Sequence, residues 1–267
     1  MSDKNIKLET SAQNTWCPGC GNFAILAALK GVVAEMIKKG TPKEEIVLVS
    51  GIGCSSKIID YINLNSFSSL HGRPVISAQG IKMANPKLKV IVFIGDGGCY
   101  NEGIAHLIHA AKRNTDLTVL VHNNRNFALT TSQFTATSPK GFKGKSTPQG
   151  SIEESFNPLS LMFSLRASFI ARGYSMKINH LQDLIKKGAK HKGFSFIEIL
   201  QPCITFFDTT DFYNQRVYEM KKGDLKSDQE IIKKIKEWDY EDNNSKIPLG
   251  IFYQRKRPVY EEELLKK

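Results

Sequence analysis

The stretch that most limits how this chain can fold is residues 88–139, LKVIVFIGDGGCYNEGIAHLIHAAKRNTDLTVLVHNNRNFALTTSQFTATSP. It opens with an apolar, β-branched run at 90–94, the pattern of a strand buried on both faces. That run ends in Gly95-Asp96-Gly97-Gly98. A helical pattern follows, with Ile104, Leu107, Ile108 and Ala111 on one face. Asn114-Thr115-Asp116 is turn chemistry, and a second apolar run at 117–121 ends in Asn123-Asn124. Strand, helix and strand at this spacing make a βαβ unit with parallel strands. Both strands finish at one sheet edge, so Asp96 and Asn124 converge in the crevice where open α/β sheets bind ligands. A carboxylate and a carboxamide oxygen are hard ligands suited to Mg²⁺, which is commonly shared with phosphates. The glycines let the backbone approach a phosphate, and the helix N-terminus that follows favours an anion.

At 267 residues the chain is long enough for one large domain with an appendage. Its apolar and charged fractions are those of a soluble globular protein. No apolar run approaches the roughly 18 residues of a membrane span, and the first residues lack the apolar core of a signal peptide. A cytoplasmic location and no membrane partner are therefore expected. The net charge of +11 points to an acidic partner or an anionic substrate. Basic residues are spread along the chain with no aromatic-interleaved stripe, so no nucleic acid is expected. Five cysteines, an odd number, argue against a disulfide framework and leave metal or cluster ligation open.

Taken in order, residues 1–13 read as a polar arm. Trp16-Cys17-Pro18-Gly19-Cys20 then presents a CxxC, which serves redox dithiols, zinc sites and iron–sulfur sites alike. A helix is expected over 23–36, with Phe23, Leu26, Ala27 and Val33 apolar, and a buried strand over 45–50. That strand ends in Gly51-Ile52-Gly53-Cys54-Ser55-Ser56, a second glycine-rich loop at the edge that carries Asp96. His71-Gly72-Arg73 is a loop, 74–83 a helix stopped by Pro86, and Cys99 a core or loop thiol. His106 and His109 read as packing residues. Residues 132–155 form a long loop of the kind that often carries function. Helices are expected at 158–165 and 180–190, and strands at 168–172 and 193–200. The last strand runs into Gln201-Pro202-Cys203, and the remaining residues alternate charged and aromatic groups.

The pairing of GDG with NN resembles the diphosphate- and metal-binding motif of thiamine diphosphate enzymes. With WCPGCG, GIGCSSK, HGR, NEG, HLIHAAKRN, NFALT, HKGFSF, PCITF and the late IPLGIFYQRKRPVYEE, the chain resembles the beta subunit of 2-oxoacid:ferredoxin oxidoreductases. The resemblance implies an α/β thiamine diphosphate-binding fold, a mainly parallel sheet with helices on both faces. It implies a cofactor domain at 14–205 and a C-terminal extension at 206–267 packing on a partner or on the core. It implies that Cys17, Cys20, Cys54 and Cys203 hold a [4Fe–4S] cluster, with Cys99 left over. Asp96, Asn124 and the backbone carbonyl of Asn126 would hold Mg²⁺ and, through it, thiamine diphosphate. Gly95, Gly97 and Gly98 would bind the diphosphate. Cys54, Ser55, Ser56 and His71 would line the cofactor site, and Leu129 and Thr130 would flank its reactive end.

The implied reaction is CoA-dependent oxidative decarboxylation of a 2-oxoacid to acyl-CoA and CO₂, with thiamine as the electron sink and ferredoxin as acceptor. The glutamate that activates thiamine is absent here and is expected on an alpha subunit, so this chain alone should be inactive. The sequence departs from the family pattern in two places. Gly98 stands where aspartate is frequent, and Thr131-Ser132 stand where glycine, and in some members a preceding lysine, occurs. Thr131 weakens the case for 2-oxoglutarate as substrate. The competing readings are a cluster-free thiamine-dependent decarboxylase subunit and a zinc-stabilised basic binding module.

Overall fold

The computed structural model describes residues 6–221, 223 and 225–266. Eight strands form one sheet in the order β2-β1-β3-β4-β6-β5-β8-β7. They are β1 (Ile46–Ser50), β2 (Asn65–Ser68), β3 (Lys89–Gly95), β4 (Thr118–Asn123), β5 (Phe169–Tyr174), β6 (Ser195–Leu200), β7 (Val217–Glu219) and β8 (Ile247–Gln254). All neighbours run parallel except β5 and β8. The central strands are apolar without alternation because helices cover both faces. Ile46, Leu48, Ile91, Phe93 and Leu120 face α1 (Gly21–Lys38) and α5 (Ile178–Lys190). Their neighbours Val47, Val49, Val90, Val92 and Val119 face α2 (Pro74–Ala84), α3 (Ile104–Arg113) and α4 (Pro158–Ser164).

The connections place a crevice. From β1 the chain goes to β2 on one side, and from β3 it goes to β4 on the other. The carboxyl ends of β1 and β3 therefore flank a topological switch point, where such sheets bind ligands. The βαβ unit expected around Asp96 is present. Its helix, however, is delayed by one π-helical turn, Gly97–Glu102, a distortion often found at functional sites. α3 then ends on Asn114 in the left-handed conformation (φ 57°).

Several elements differ from the sequence reading. α1 buries Ile25, Leu26, Ala28, Leu29, Val32 and Val33 and leaves Phe23 and Ala27 exposed. Phe23 packs edge-on against Trp16 instead, 5.4 Å between ring centres. Residues 1–5 of the expected polar arm lie outside the described residues. Leu8 is buried, and its carbonyl accepts from the Asn63 N–H. β2 has no apolar period to betray it, because all four of its residues are exposed. Residues 206–267 supply α6 (Thr210–Arg216), β7, α7 (Asp228–Ile235), β8 and α8 (Tyr260–Leu265). β8 joins β5 antiparallel despite Pro248 and Gly250, whose φ of +133° accompanies a register shift at Ile170/Ala171.

A buried polar network ties this late segment to the sheet. Arg172 on β5 and Glu198 on β6 are both fully buried, with Nε to Oε2 at 2.8 Å. Burial works against the guanidinium charge, but Tyr240 and Glu198 hold Arg172 protonated, above its usual range. Arg172 donates to the Tyr240 hydroxyl at 3.0 Å, and that hydroxyl donates in turn to Glu198 Oε1. Tyr240 stacks on Trp238 at 4.3 Å, and the Arg172 guanidinium lies 5.0 Å from the Trp238 ring. At the opposite sheet edge, buried Lys82 pairs with Asp116 at 2.7 Å.

Removing one member leaves a buried charge short of partners. Tyr240→Phe should cost about 1–3 kcal/mol of stability in chemical denaturation; no measurable loss would mean that the hydroxyl is dispensable to the pair. Burial would raise the Asp116 carboxyl, but the Lys82 hydrogen bond and charge hold it below its usual range. Its contribution is therefore present above the unfolded value of about 4 and is lost as pH falls through the lower folded value. Asp116→Asn should cost about 3–5 kcal/mol at pH 7, with the gap to wild type narrowing on acidification. An equal gap at neutral and acid pH would show that the carboxylate charge does not hold Lys82.

Candidate active site

Loops leaving β1, β3 and β4 build one pocket. Its wall includes Ile52, Cys54 and Ser55 after β1, Gly95 to Gly98 after β3, and Asn124, Asn126, Leu129 and Thr130 after β4. His71 closes one side, with its ring 5.8 Å from that of Phe127. Every cofactor-site residue read from the sequence reaches this wall except Ser56. After Ser55 the chain enters a 3-10 turn, Ser55–Tyr61, and the tight turn carries Ser56 into the interior.

Asp96 lies at the base, almost wholly buried. Burial pushes its carboxyl up to about 6, against the pull of Thr135, Thr137 and the Asn124 N–H. Thr135 and Thr137 donate to Asp96 Oδ2 at 2.6 and 3.0 Å. Both come from the long loop, which folds back over the strand ends; neither was singled out from the sequence. Thr137 shares its proton with Asn123 Oδ1 at 2.9 Å, and Asn123 donates to Glu198 at 2.8 Å. The carboxylate is thereby joined to the Arg172–Glu198–Tyr240 network.

Between the two asparagines, Arg125 adopts a left-handed conformation (φ 59°). Its buried side chain donates to the carbonyls of Thr137 at 2.6 Å and Tyr240 at 2.9 Å. The turn it anchors brings Asn124 and Asn126 beside Asp96. Asn126 Oδ1 is buried without a hydrogen-bond partner, a carbonyl oxygen available to an incoming group. A Cβ on Gly97 would stand 2.2 Å from the Phe127 ring, so only glycine fits that approach. A Cβ on Gly98 would lie 3.3 Å from the His71 ring, so a larger side chain there would crowd the wall. Thr131 and Ser132 both have positive φ, 73° and 78°, which explains physically why glycine suits that position.

A second cavity, of about 160 Å³, adjoins the first. Cys17 and Cys20 from the segment before α1, Cys54 after β1 and Cys203 after β6 all line it. Cys54, Asn124, Ala128 and Leu129 border both cavities. Burial pushes the Cys54 thiol up to about 11, and the neighbouring cysteines add to the rise. Cys20 is raised in the same way, with Cys203 and Cys17 contributing. Among the described residues no three Cys, His, Asp or Glu side chains stand close enough to share one metal ion. Four thiols around a cavity suit a multi-iron cluster better than the compact tetrahedron of zinc. Cys99 is buried in the core. Among the described residues no helix is long and apolar enough to cross a membrane.

Comparison with known proteins places these two cavities in context. Residues 51–199 match the family model described as thiamine pyrophosphate enzyme, C-terminal TPP binding domain. Residues 203–266 match the family model for the C-terminal part of the pyruvate ferredoxin oxidoreductase beta subunit. The beta subunit of 2-oxoacid:ferredoxin oxidoreductase 1 from Aeropyrum pernix is 40% identical over 97% of this chain and 83% of its own. That of Saccharolobus solfataricus is 43% identical over 95% of this chain and 86% of its own. A chain of the 2-oxoglutarate:ferredoxin oxidoreductase from Magnetococcus marinus, solved with 2-oxoglutarate, coenzyme A and succinyl-CoA bound, superimposes with a TM-score of 0.90. It is 31% identical and covers 98% of this chain and 90% of that one. These relatives are named as ferredoxin-linked oxidoreductases and not as cluster-free decarboxylases, and the chain belongs to the beta-subunit family of the 2-oxoacid:ferredoxin oxidoreductases.

Proposed function

We propose that this chain is the subunit of a 2-oxoacid:ferredoxin oxidoreductase that carries thiamine diphosphate and one [4Fe–4S] cluster. The observation that carries the proposal is the shared wall: the pocket containing Asp96 and the cavity containing four cysteines meet at Cys54, Asn124, Ala128 and Leu129. The Asp96 carboxylate, the Asn124 carboxamide and the Asn126 backbone carbonyl hold Mg²⁺. Gly95, Gly97 and Gly98 leave room for the diphosphate, Ser55 and His71 line the cofactor, and Leu129 and Thr130 flank its reactive end. Cys17, Cys20, Cys54 and Cys203 ligate the cluster through their thiolates. Bound thiamine diphosphate supplies the electron sink for decarboxylation of a 2-oxoacid. The protein orients the metal-binding carboxylate through the Thr135 and Thr137 hydroxyls, which offset part of the cost of burying its charge, and sets the cluster beside it.

Residues 14–205 serve as the cofactor-binding part and 206–267 as an extension that buttresses it. The activating glutamate comes from an alpha subunit. Ile52, Leu129 and Phe206 stand 42–48% exposed around the two openings, an apolar rim suited to that subunit. The net charge of +11 favours acidic ferredoxin and the phosphates of CoA. Cytoplasmic location follows from this partnership.

Anaerobic purification with the native partner should yield about four irons, four sulfides and one thiamine diphosphate per chain, with CoA-dependent reduction of ferredoxin by a 2-oxoacid. Thiamine diphosphate without iron would return the decarboxylase reading, and zinc with neither would remove the enzyme altogether. The two cavities should also separate by mutation. Thr135→Val and Thr137→Val should weaken Mg²⁺-dependent thiamine diphosphate binding by about 10–100-fold and leave iron content unchanged. Cys203→Ser should lose iron while retaining thiamine diphosphate affinity in calorimetry. Parallel loss of both ligands in either variant would contradict the assignment of two distinct sites.

A further inference from the structure

The partition between the two cavities contains a residue that neither the motifs nor the ligand assignments use. Gln201 is 2% exposed and follows β6 directly, two positions before Cys203. Its backbone N–H donates to the Asn123 carbonyl at 2.9 Å, which pins it beside the asparagines of the first pocket. Its side chain lines the cysteine cavity, and its Nε2 donates to Cys20 Sγ at 3.6 Å. Space for it is made at the start of α1, where a Cβ on Gly21 would stand 2.8 Å from Gln201 Cγ.

Behind the carboxamide lies His122, which lines the first pocket. His122 is almost wholly buried. Its Nδ1 lies 2.8 Å from Asn22 Oδ1, which fixes the ring plane. Gln201 is a neighbour of the same ring. His122 Nε2 and Gln201 Oε1 are both buried and lack a well-aligned hydrogen bond. Asn22, His122 and Gln201 thus form a packed file of polar side chains that spans from the cofactor pocket to the sulfur of Cys20.

The chemistry of the sulfur fixes how this file acts. A ligating thiolate accepts hydrogen bonds and donates none. Of the two ends of the carboxamide, only the N–H can face it favourably. An N–H directed at a ligating sulfur draws charge away from the cluster and so favours the reduced, more negative state. The contact of Gln201 Nε2 with Cys20 Sγ has that orientation.

We infer that Gln201 is a positioning residue that holds Cys20 in its ligating place and raises the reduction potential of the cluster. This rests on the cluster reading above. The test uses the complex with its partner subunit, purified anaerobically, carrying Gln201→Met or Gln201→Glu. Both substitutions keep the length of the side chain and remove the N–H. Iron and sulfide per chain, thiamine diphosphate affinity and the cluster midpoint from an electron paramagnetic resonance titration are measured together. The expected result is a reduction equilibrium about tenfold less favourable, about 59 mV lower for one electron, with thiamine diphosphate affinity unchanged. Loss of iron in both variants with thiamine diphosphate affinity retained would also support the assignment, since Cys20 would then no longer be held. A wild-type midpoint in either variant at wild-type iron content would overturn it. Wild-type complex without iron would instead overturn the cluster reading, independently of Gln201.

Discussion

The buried pair of Arg172 and Glu198 is the interaction on which the rest of this structure leans. Two full charges with no exposed surface need every neighbouring donor and acceptor they can recruit. Tyr240 answers from the C-terminal segment, and Asn123 answers from the end of β4. Through Thr137, Asn123 reaches the carboxylate of Asp96. The orientation of the Asp96 carboxylate is thus set by a chain of polar contacts that ends in the C-terminal segment. The late residues therefore shape the site without lining its pocket. Arg125 adds a second tie, running from between Asn124 and Asn126 to the Tyr240 carbonyl.

The switch point in the sheet explains why two cavities can share a wall. β1, β3, β4 and β6 lie side by side and parallel, so their carboxyl ends open onto one edge. The loops after β1 and β4 are each flanked by another of these loops. Cys54 and Asn124, which sit on them, accordingly face both openings. Gln201 and His122 fill the partition between the openings. Both side chains are almost wholly buried, so the wall between the two cavities is thin and filled.

Much of this was legible in the chain. The βαβ unit around Asp96, the second glycine-rich loop at Cys54 and the strand before Cys203 all show apolar runs that end in turn residues. Four cysteines could be assigned by motif, and they do line one cavity. The phase of α1 was not legible, because Phe23 and Ala27 are apolar yet solvent-facing, and apolar composition alone does not reveal which stripe is buried. β2 escaped for the opposite reason: an exposed edge strand with a single apolar residue, Phe67, carries no alternation. β8 contains both proline and glycine, and only its pairing with β5 makes it a strand.

By itself, then, the sequence determined the local elements of the core and most of the residues that line the two cavities. Those depend on short-range patterns: β-branched runs, glycines where the backbone must approach closely, and hard or soft ligand types. Tertiary structure alone decided that Thr135 and Thr137 reach Asp96, that Ser56 turns away, that Gln201 meets Cys20, and that Tyr240 completes a charge pair. Each of these joins residues far apart in the chain or facing opposite ways within one turn. Such contacts follow from strand order and loop closure, which the two-residue and 3.6-residue periods of the chain do not encode.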